Sequence, residues 1–192
     1  MVPRKPTIAA CRLTSANSKL LPASDPGWLA EAQFTATVAV VPLVSVDLCI
    51  IDATGRLLVG LRRNAPAQGY WFTPGARIRK NETIANAMVR LGQDELGLSA
   101  EVVSRAVLMG AWDHFYADSR FDGAVSTHYV NLPSWISLST EEASMLNASL
   151  QAKQDQHDAW RWLTANEGDL DGRLHPYAHA YAVWLTENGM LV

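Results

Sequence analysis

The chain has little cysteine. Cys11 and Cys49 are its two thiols in 192 residues. They stand far apart, one in a loose N-terminal stretch and one in a strand-like run. That argues against a disulfide framework and sets the expectation of a reducing, cytoplasmic setting. Long apolar runs are also missing. The longest candidate, Thr37 to Val44, contains Pro42 and falls well short of the ~18 residues that a spanning helix needs, so no membrane partner is expected. There is no surplus of positive charge. Lys and Arg number 16 against 19 Asp and Glu, for a net charge of -3. A dedicated nucleic-acid binder needs a basic excess, so no nucleic-acid partner is expected, although a few local arginines can hold a small anion inside an acidic protein. Arg4, Lys5 and Arg12 are followed by no sustained apolar stretch, so a signal peptide is not expected. Internal repeats and low-complexity segments are absent from the sequence.

What is present suits one globular domain. Hydrophobic residues make up 48% and charged residues 18% of the chain, enough to build a packed core. Residues 1–27 mix Pro, Ser, Ala and basic residues without a period and read as a partly disordered extension; residues 28–192 read as the domain. Trp28 to Phe34 suggests a short helix. Leu43 to Ile51 alternates, with Val44, Val46, Leu48 and Ile50 on one face and Ser45, Asp47 and Cys49 on the other, so it reads as a strand with Asp47 toward solvent. A turn from Asp52 to Gly55 leads into a partner strand, Arg56 to Arg62. Further strands are expected over Val102 to Trp112, Thr127 to Ile136 and Trp160 to Leu163, with Pro133 marking an edge or a bend. Helices are expected over Glu82 to Leu96 (ended by Gly97), Ser139 to Leu150 and His175 to Thr186. Hairpins interspersed with helices imply an α/β or α+β layered domain around a mixed sheet.

One helix violates its own pattern. Ile84, Ala87, Met88 and Leu91 form an apolar stripe, and at ~100° per residue Glu95 lands about 20° from Ile84, inside that stripe. A buried carboxylate needs a cation or hydrogen-bond donors. Glu95 either escapes to water at the frayed helix end or serves as a ligand for a hard cation such as Mg²⁺. Arg90, on the stripe's flank, is placed to pair with Glu95 or to face an anion.

The run from Gly75 through Ala76, Arg77 and Glu82 to Arg90, Leu91, Asp94, Glu95, Gly97 and Leu98 resembles a Nudix box, the loop–helix–loop motif of the Nudix hydrolases. Ala76 stands at the motif's glycine, Leu91 replaces the first glutamate of its acidic tail, Asp94 replaces the second, and Glu82 and Glu95 are retained. The segments Pro42 to Asp47, Pro66 to Gly75, Gly110 to Tyr116, Thr127 to Tyr129 and Gln156 to Asp158, together with Arg62, resemble the GDP-mannose mannosyl hydrolase branch, from roughly Phe34 to Ala182.

The resemblance implies a mixed sheet between helices, a homodimer with the region before the first core strand at its interface, and hydrolysis of GDP-mannose to GDP and mannose by attack of water at the anomeric carbon with inversion. It implies one divalent ion, Mg²⁺ or Mn²⁺, held by the Gly75 carbonyl, Glu95 and the Gln156 side chain. It makes His157 the general base and directs Arg77, Arg90 and Arg62 to the diphosphate of the GDP-sugar. Asp47, His114 and Tyr129 become contacts to the sugar or diphosphate. Trp71, Trp112, Trp160 and Trp162 are further candidates for a pocket wall. Two other functions stay open at this point. One is an ordinary Nudix diphosphohydrolase attacking phosphorus, against which Leu91 counts. The other is a Nudix-derived binding module without turnover, against which the retained Gln156 and His157 count.

Overall fold

The computed structural model describes residues 29–152, 157–165 and 172–192; the expected extension over 1–27 lies outside them. β1 (Leu43–Ile51) turns into β2 (Leu57–Arg62). The turn is pinned by Asp52, whose Oδ1 accepts from the Thr54 N–H at 2.9 Å and whose Oδ2 accepts from Arg56 Nε at 2.9 Å. Gly55 takes a φ of 77°, which a Cβ would oppose.

β1 and β2 pair at the Ile51–Leu57 end and then part. β2 continues against β3 (Trp71–Phe72) and β8 (His157–Leu163). β1 continues against β4 (Gly75–Arg77) on one side and runs parallel to β7 (Thr127–Ser137) on the other. β5 (Val107–Leu108) and β6 (Trp112–Tyr116) follow the far edge of β7. The wedge between the parted strands is where the site forms.

Helices cover both faces of this mixed sheet. α2 (Ile84–Leu91), α3 (Ala100–Val103) and α4 (Thr140–Ala152) lie on one side, over Val46, Leu48, Ile50, Leu58 and Ile136. α5 (Pro176–Glu187) lies on the other, over Cys49, Ile51, Leu57, Val59 and Phe72. α1 (Glu31–Val38) precedes the sheet, a few residues later than expected. β1 feeds both cores, so it has no solvent face. This corrects the exposed reading of Asp47: it is 3% exposed, and Ser45 is buried beside it.

Three local expectations also change. The strand foreseen over Val102 to Trp112 is the end of α3, then β5 and β6. Ser99 caps α3 by accepting from the Val102 N–H at 3.3 Å, and Gly110, at φ 135°, separates the two strands. Pro133 lies inside β7, opposite Asp47, where the far edge of β7 changes partner from β6 to β5; a residue without an N–H fits that change, and its carbonyl accepts from the Met109 N–H at 2.8 Å. The helix foreseen up to Leu96 is α-helical to Leu91 and π-helical over Gly92–Leu96, ended by Gly97 at φ 72°. The wider turn breaks the helical projection after Leu91 and delivers Glu95 to the wedge.

Candidate functional site

The wedge between β1 and β2 holds a cleft with two compartments. Arg62, Pro66, Gly75, Ala76, Arg77 and Tyr129 wall both. The first, with an empty volume of about 450 Å³, adds Ser45, Asp47, Phe72, His114, Tyr116 and Asn131. The second, about 910 Å³, adds Phe34, Arg79, Arg90, Leu91, Asp94, Glu95 and Arg120. We call them the polar and the arginine compartments.

The polar compartment is built on the sheet. The Tyr181 hydroxyl, from α5, donates to Asp47 Oδ2 at 2.9 Å and lies 3.0 Å from His114 Nε2. Burial pushes the Asp47 pKa up to about 6, against the hydrogen bonds from Asn131 and Tyr181 and the charge of Arg62. Once Asp47 is ionised it accepts the one hydrogen bond that the Tyr181 hydroxyl can donate, so His114 Nε2 must carry its own proton and donate to the Tyr181 oxygen. Burial, then His175, lowers the His114 pKa to about 4, and its ring stacks on Tyr177 at 3.9 Å. Asn131 Nδ2 donates to Ser45 Oγ at 2.9 Å. A Cβ on Gly75 would collide with Asp47 Oδ1, so a glycine is required where β4 crosses that carboxylate. Ala76 has no left-handed φ, and the departure from the motif's glycine carries no backbone strain there.

The arginine compartment is built on loops and on α2. Arg90 Nε donates to Glu82 Oε1 at 2.7 Å, and its Nη2 donates to Glu82 Oε2 at 2.9 Å and to the Arg77 carbonyl at 3.0 Å. Burial alone would raise the Glu82 pKa; hydrogen bonds from Arg90 and from the Arg79 N–H hold it below the ordinary value. The pair therefore fastens the loop after β4 to α2. Arg90 borders the cleft, and its Nε and Nη2 donors are engaged in this clamp. The Arg77 guanidinium lies over the Phe34 ring at 4.2 Å, and Phe34 meets Phe121 edge-to-face at 5.5 Å. Arg62 Nε donates to the Pro66 carbonyl at 3.1 Å.

Glu95 borders this compartment with Oε2 enclosed and without a hydrogen-bond partner. Burial raises its pKa to about 7, opposed by Arg62 and reinforced by Asp47. An enclosed carboxylate oxygen with nothing to bind is a fit for a cation. Among the described residues no group of three or more His, Cys, Asp or Glu side chains is placed to hold a metal ion. A cation at Glu95 would therefore draw some of its other donors from outside the His, Cys, Asp and Glu side chains. Gly75 shares the compartment with Glu95; Gln156 lies outside the described residues.

His157 pairs with Arg62 across β2 and β8. It is buried, its ring packs on Trp160 at 4.4 Å, and a Cβ on Gly60 would strike it. Burial, then the Arg62 charge, lowers its pKa to about 3, and its Nε2 is enclosed without a partner. It stands behind Arg62 and is not among the residues walling either compartment. The structure thus brings together Arg62, Arg77, Tyr129 and Gly75 with Asp47 and His114 on one side and Glu95 on the other. Trp71, Trp112, Trp160 and Trp162 pack against the two cores instead.

Sequence reasoning did not single out Tyr181, Asn131, Ser45, Phe34 or Arg120. Tyr181 reads as one more apolar residue of α5. Asn131 carried a signal that was available: an amide between Val130 and Leu132 in the middle of a strand.

A mixed sheet between helices, with a loop–helix motif presenting Asp94 and Glu95 to an arginine-lined cleft, defines a Nudix hydrolase domain. The NUDIX domain family model matches residues 41–185. The chain belongs to the Nudix family. It is 37% identical over 151 residues to the low-salt glycan biosynthesis protein Agl8 of Haloferax volcanii, covering 79% of this chain and 86% of that protein. Among solved structures it resembles a MutT NUDIX hydrolase from Burkholderia pseudomallei, at TM-score 0.56 and 26% identity over 76% of this chain and 98% of that one. The NUDIX domain of Shewanella oneidensis NrtR, complexed with ADP ribose, shares the fold at TM-score 0.54 and 15% identity, over 83% of this chain and 98% of that one.

Proposed function

We propose that the protein hydrolyses GDP-mannose, or a close GDP-hexose, to GDP and free sugar, with water attacking the anomeric carbon and inverting it. The observation that carries this reading is the division of the cleft. A nucleoside-diphosphate sugar joins a multiply charged group to a neutral polyol; Arg62 and Arg77 border both compartments, Arg79, Arg90 and Arg120 border only the arginine compartment, and buried Ser45, His114 and Asn131 border only the polar one. Leu91 adds to it. This buried side chain borders the arginine compartment at the motif's first glutamate, and attack at phosphorus usually recruits several metal-holding carboxylates. The similarity to a glycan biosynthesis protein, a field of chemistry that uses nucleotide sugars, points the same way.

In this reading Arg62 and Arg77 hold the diphosphate with paired N–H donors as it gains charge on departure. Asp47, His114 and Tyr129 orient the sugar. Glu95, the Gly75 carbonyl and Gln156 would hold Mg²⁺ or Mn²⁺, which when bound neutralises phosphate charge. His157 is the base that the resemblance implies: it is uncharged at neutral pH, but its Nε2 is enclosed and it walls neither compartment, so Arg62, its neighbour across β2 and β8, would have to shift before that atom meets water. The homodimer belongs to the same proposal. Val40, Val41 and Val44 are 77%, 45% and 43% exposed just before and at the start of β1, an apolar surface that a second copy would cover. A cytoplasmic setting belongs to it too.

Turnover in ¹⁸O-water tests the reading. Label in the sugar supports attack at carbon; label in a phosphate assigns an ordinary diphosphohydrolase; no turnover of any nucleotide sugar assigns a binding module. His157→Gln is expected to lower kcat by roughly 10²-fold with little change in metal affinity. An unchanged kcat would remove His157 as the base.

A further inference from the structure

The floor of the polar compartment contains an acceptor that no described residue satisfies. Asn131, on β7, is 3% exposed. Its Nδ2 is occupied by Ser45 Oγ, and its Oδ1 is enclosed with no hydrogen-bond partner. Buried amide oxygens are rarely left without a donor, so an orphan beside a ligand cleft points to a donor brought by the ligand. The surroundings define that donor. Asp47 shares the floor and accepts hydrogen bonds as well. A phosphate oxygen brings only acceptors, so it cannot satisfy Asn131 Oδ1; Arg62 and Arg77, which border this compartment as well, would hold a phosphate at the side shared with the arginine compartment. A hydroxyl brings a neutral donor and accepts in return. Tyr116 and Tyr129 border the same space and offer hydroxyls and ring faces, as a polyol site needs.

We propose that Asn131 is a specificity residue whose Oδ1 accepts a hydrogen bond from one hydroxyl of the hexose, so that the polar compartment selects the sugar by its hydroxyl pattern. The inference rests on the nucleotide-sugar reading and extends it to a residue that contacts no phosphate. β7 also fixes where the acceptor stands, because Asn131 lies level with Ser45 of β1 and Trp112 of β6. A side chain locked between two paired strands discriminates better than one on a loop.

Binding is the test. Wild type and Asn131→Leu are titrated, with Mg²⁺ present, with GDP, with a GDP-mannose analogue carrying a methylene in place of the glycosidic oxygen, and with single-deoxy versions of that analogue. Wild type is expected to bind the sugar-bearing ligand more tightly than GDP. Asn131→Leu is expected to lose on the order of tenfold for that ligand while keeping its affinity for GDP, which also reports that the variant is folded. One deoxy analogue is expected to bind wild type and variant alike, and it identifies the hydroxyl. Should the leucine variant fail to fold, Asn131→Ser is expected to give the same pattern. Equal weakening for GDP and for the sugar ligand would overturn the proposal by placing Asn131 against the nucleotide; an unchanged sugar increment, or none in wild type, would also overturn it. Attack at phosphorus would sink the hydrolytic reading and leave this binding pattern standing.

Discussion

The two halves of the cleft handle charge in opposite ways. The arginine compartment gathers Arg62, Arg77, Arg79, Arg90 and Arg120 around Asp94 and Glu95. Most of these groups sit on loops and helix ends. The polar compartment takes Ser45, Asp47, His114 and Asn131 from strands, each of them buried, and locks Asp47 and His114 together through Tyr181 from the helix behind. Burial raises the carboxylate pKa in both, to about 7 for Glu95 and about 6 for Asp47. The reasons each carboxylate is tolerated differ. Asp47 is satisfied from within the protein by hydrogen bonds, whereas Glu95 keeps an oxygen that waits for something from outside. Charge concentrated at strand ends, loops and a helix end supplies strength toward an anion, and buried polar groups within strands supply shape and pattern.

This contrast can be attacked at several points. Glu95→Gln strikes the arginine compartment at its one enclosed carboxylate oxygen. It is expected to lower kcat by about 10²–10³-fold and to abolish the response to Mg²⁺, read by steady-state kinetics across a metal titration. A comparable loss from Asp47→Asn would mean that the two carboxylates do the same work and would break the contrast. Arg77→Ala is expected to weaken GDP binding by roughly 10–100-fold, measured by calorimetry, with Arg77→Lys recovering only part because the paired donors are lost. Arg90→Leu tests the clamp rather than the ligand. Glu82 and Arg90 are only partly exposed, 13% and 21% by side chain, and separating them is expected to cost about 2 kcal/mol of stability. That corresponds to a Tm lower by roughly 4–8 °C in thermal denaturation.

The smallest effect concerns pH. The folded pKa of Asp47, about 6, lies above its ordinary value of 3.8, so the folded state binds the proton more tightly than the unfolded chain does. Its contribution to stability is full below about pH 4 and is lost as pH rises toward 6. Asp47→Asn should flatten the stability profile across that window by on the order of 1 kcal/mol relative to wild type, read from denaturant melts at pH 4, 5, 6 and 7. Identical profiles would show that Asp47 is not held in a desolvated place.

Much of the frame was legible beforehand. The alternation in Leu43 to Ile51, the Gly97 stop and the misplaced Glu95 were each readable because backbone period and local capping are properties of neighbouring residues. Glu95 is buried rather than turned to water, and a carboxylate on an apolar stripe is anomalous whether the turn is α or π. Arg90 shows the limit. Pairing with Glu95 and facing an anion were the options nearby in sequence, and the partner turned out to be Glu82, across the loop that the pair itself closes. Pro133 shows another: its place depends on which strand pairs with β7 on either side.

The order of residues alone determined β1, β2 and β7, the Gly97 stop, the damaged acidic motif and the family they spell, because each depends on short-range spacing. Only the folded chain decided that Asp47 is buried, that Tyr181 from the last helix holds it, that Asn131 is left with an unmet acceptor and that His157 stands behind Arg62. Those outcomes depend on which faces are covered and on which side chains from distant segments meet, and packing in three dimensions sets both.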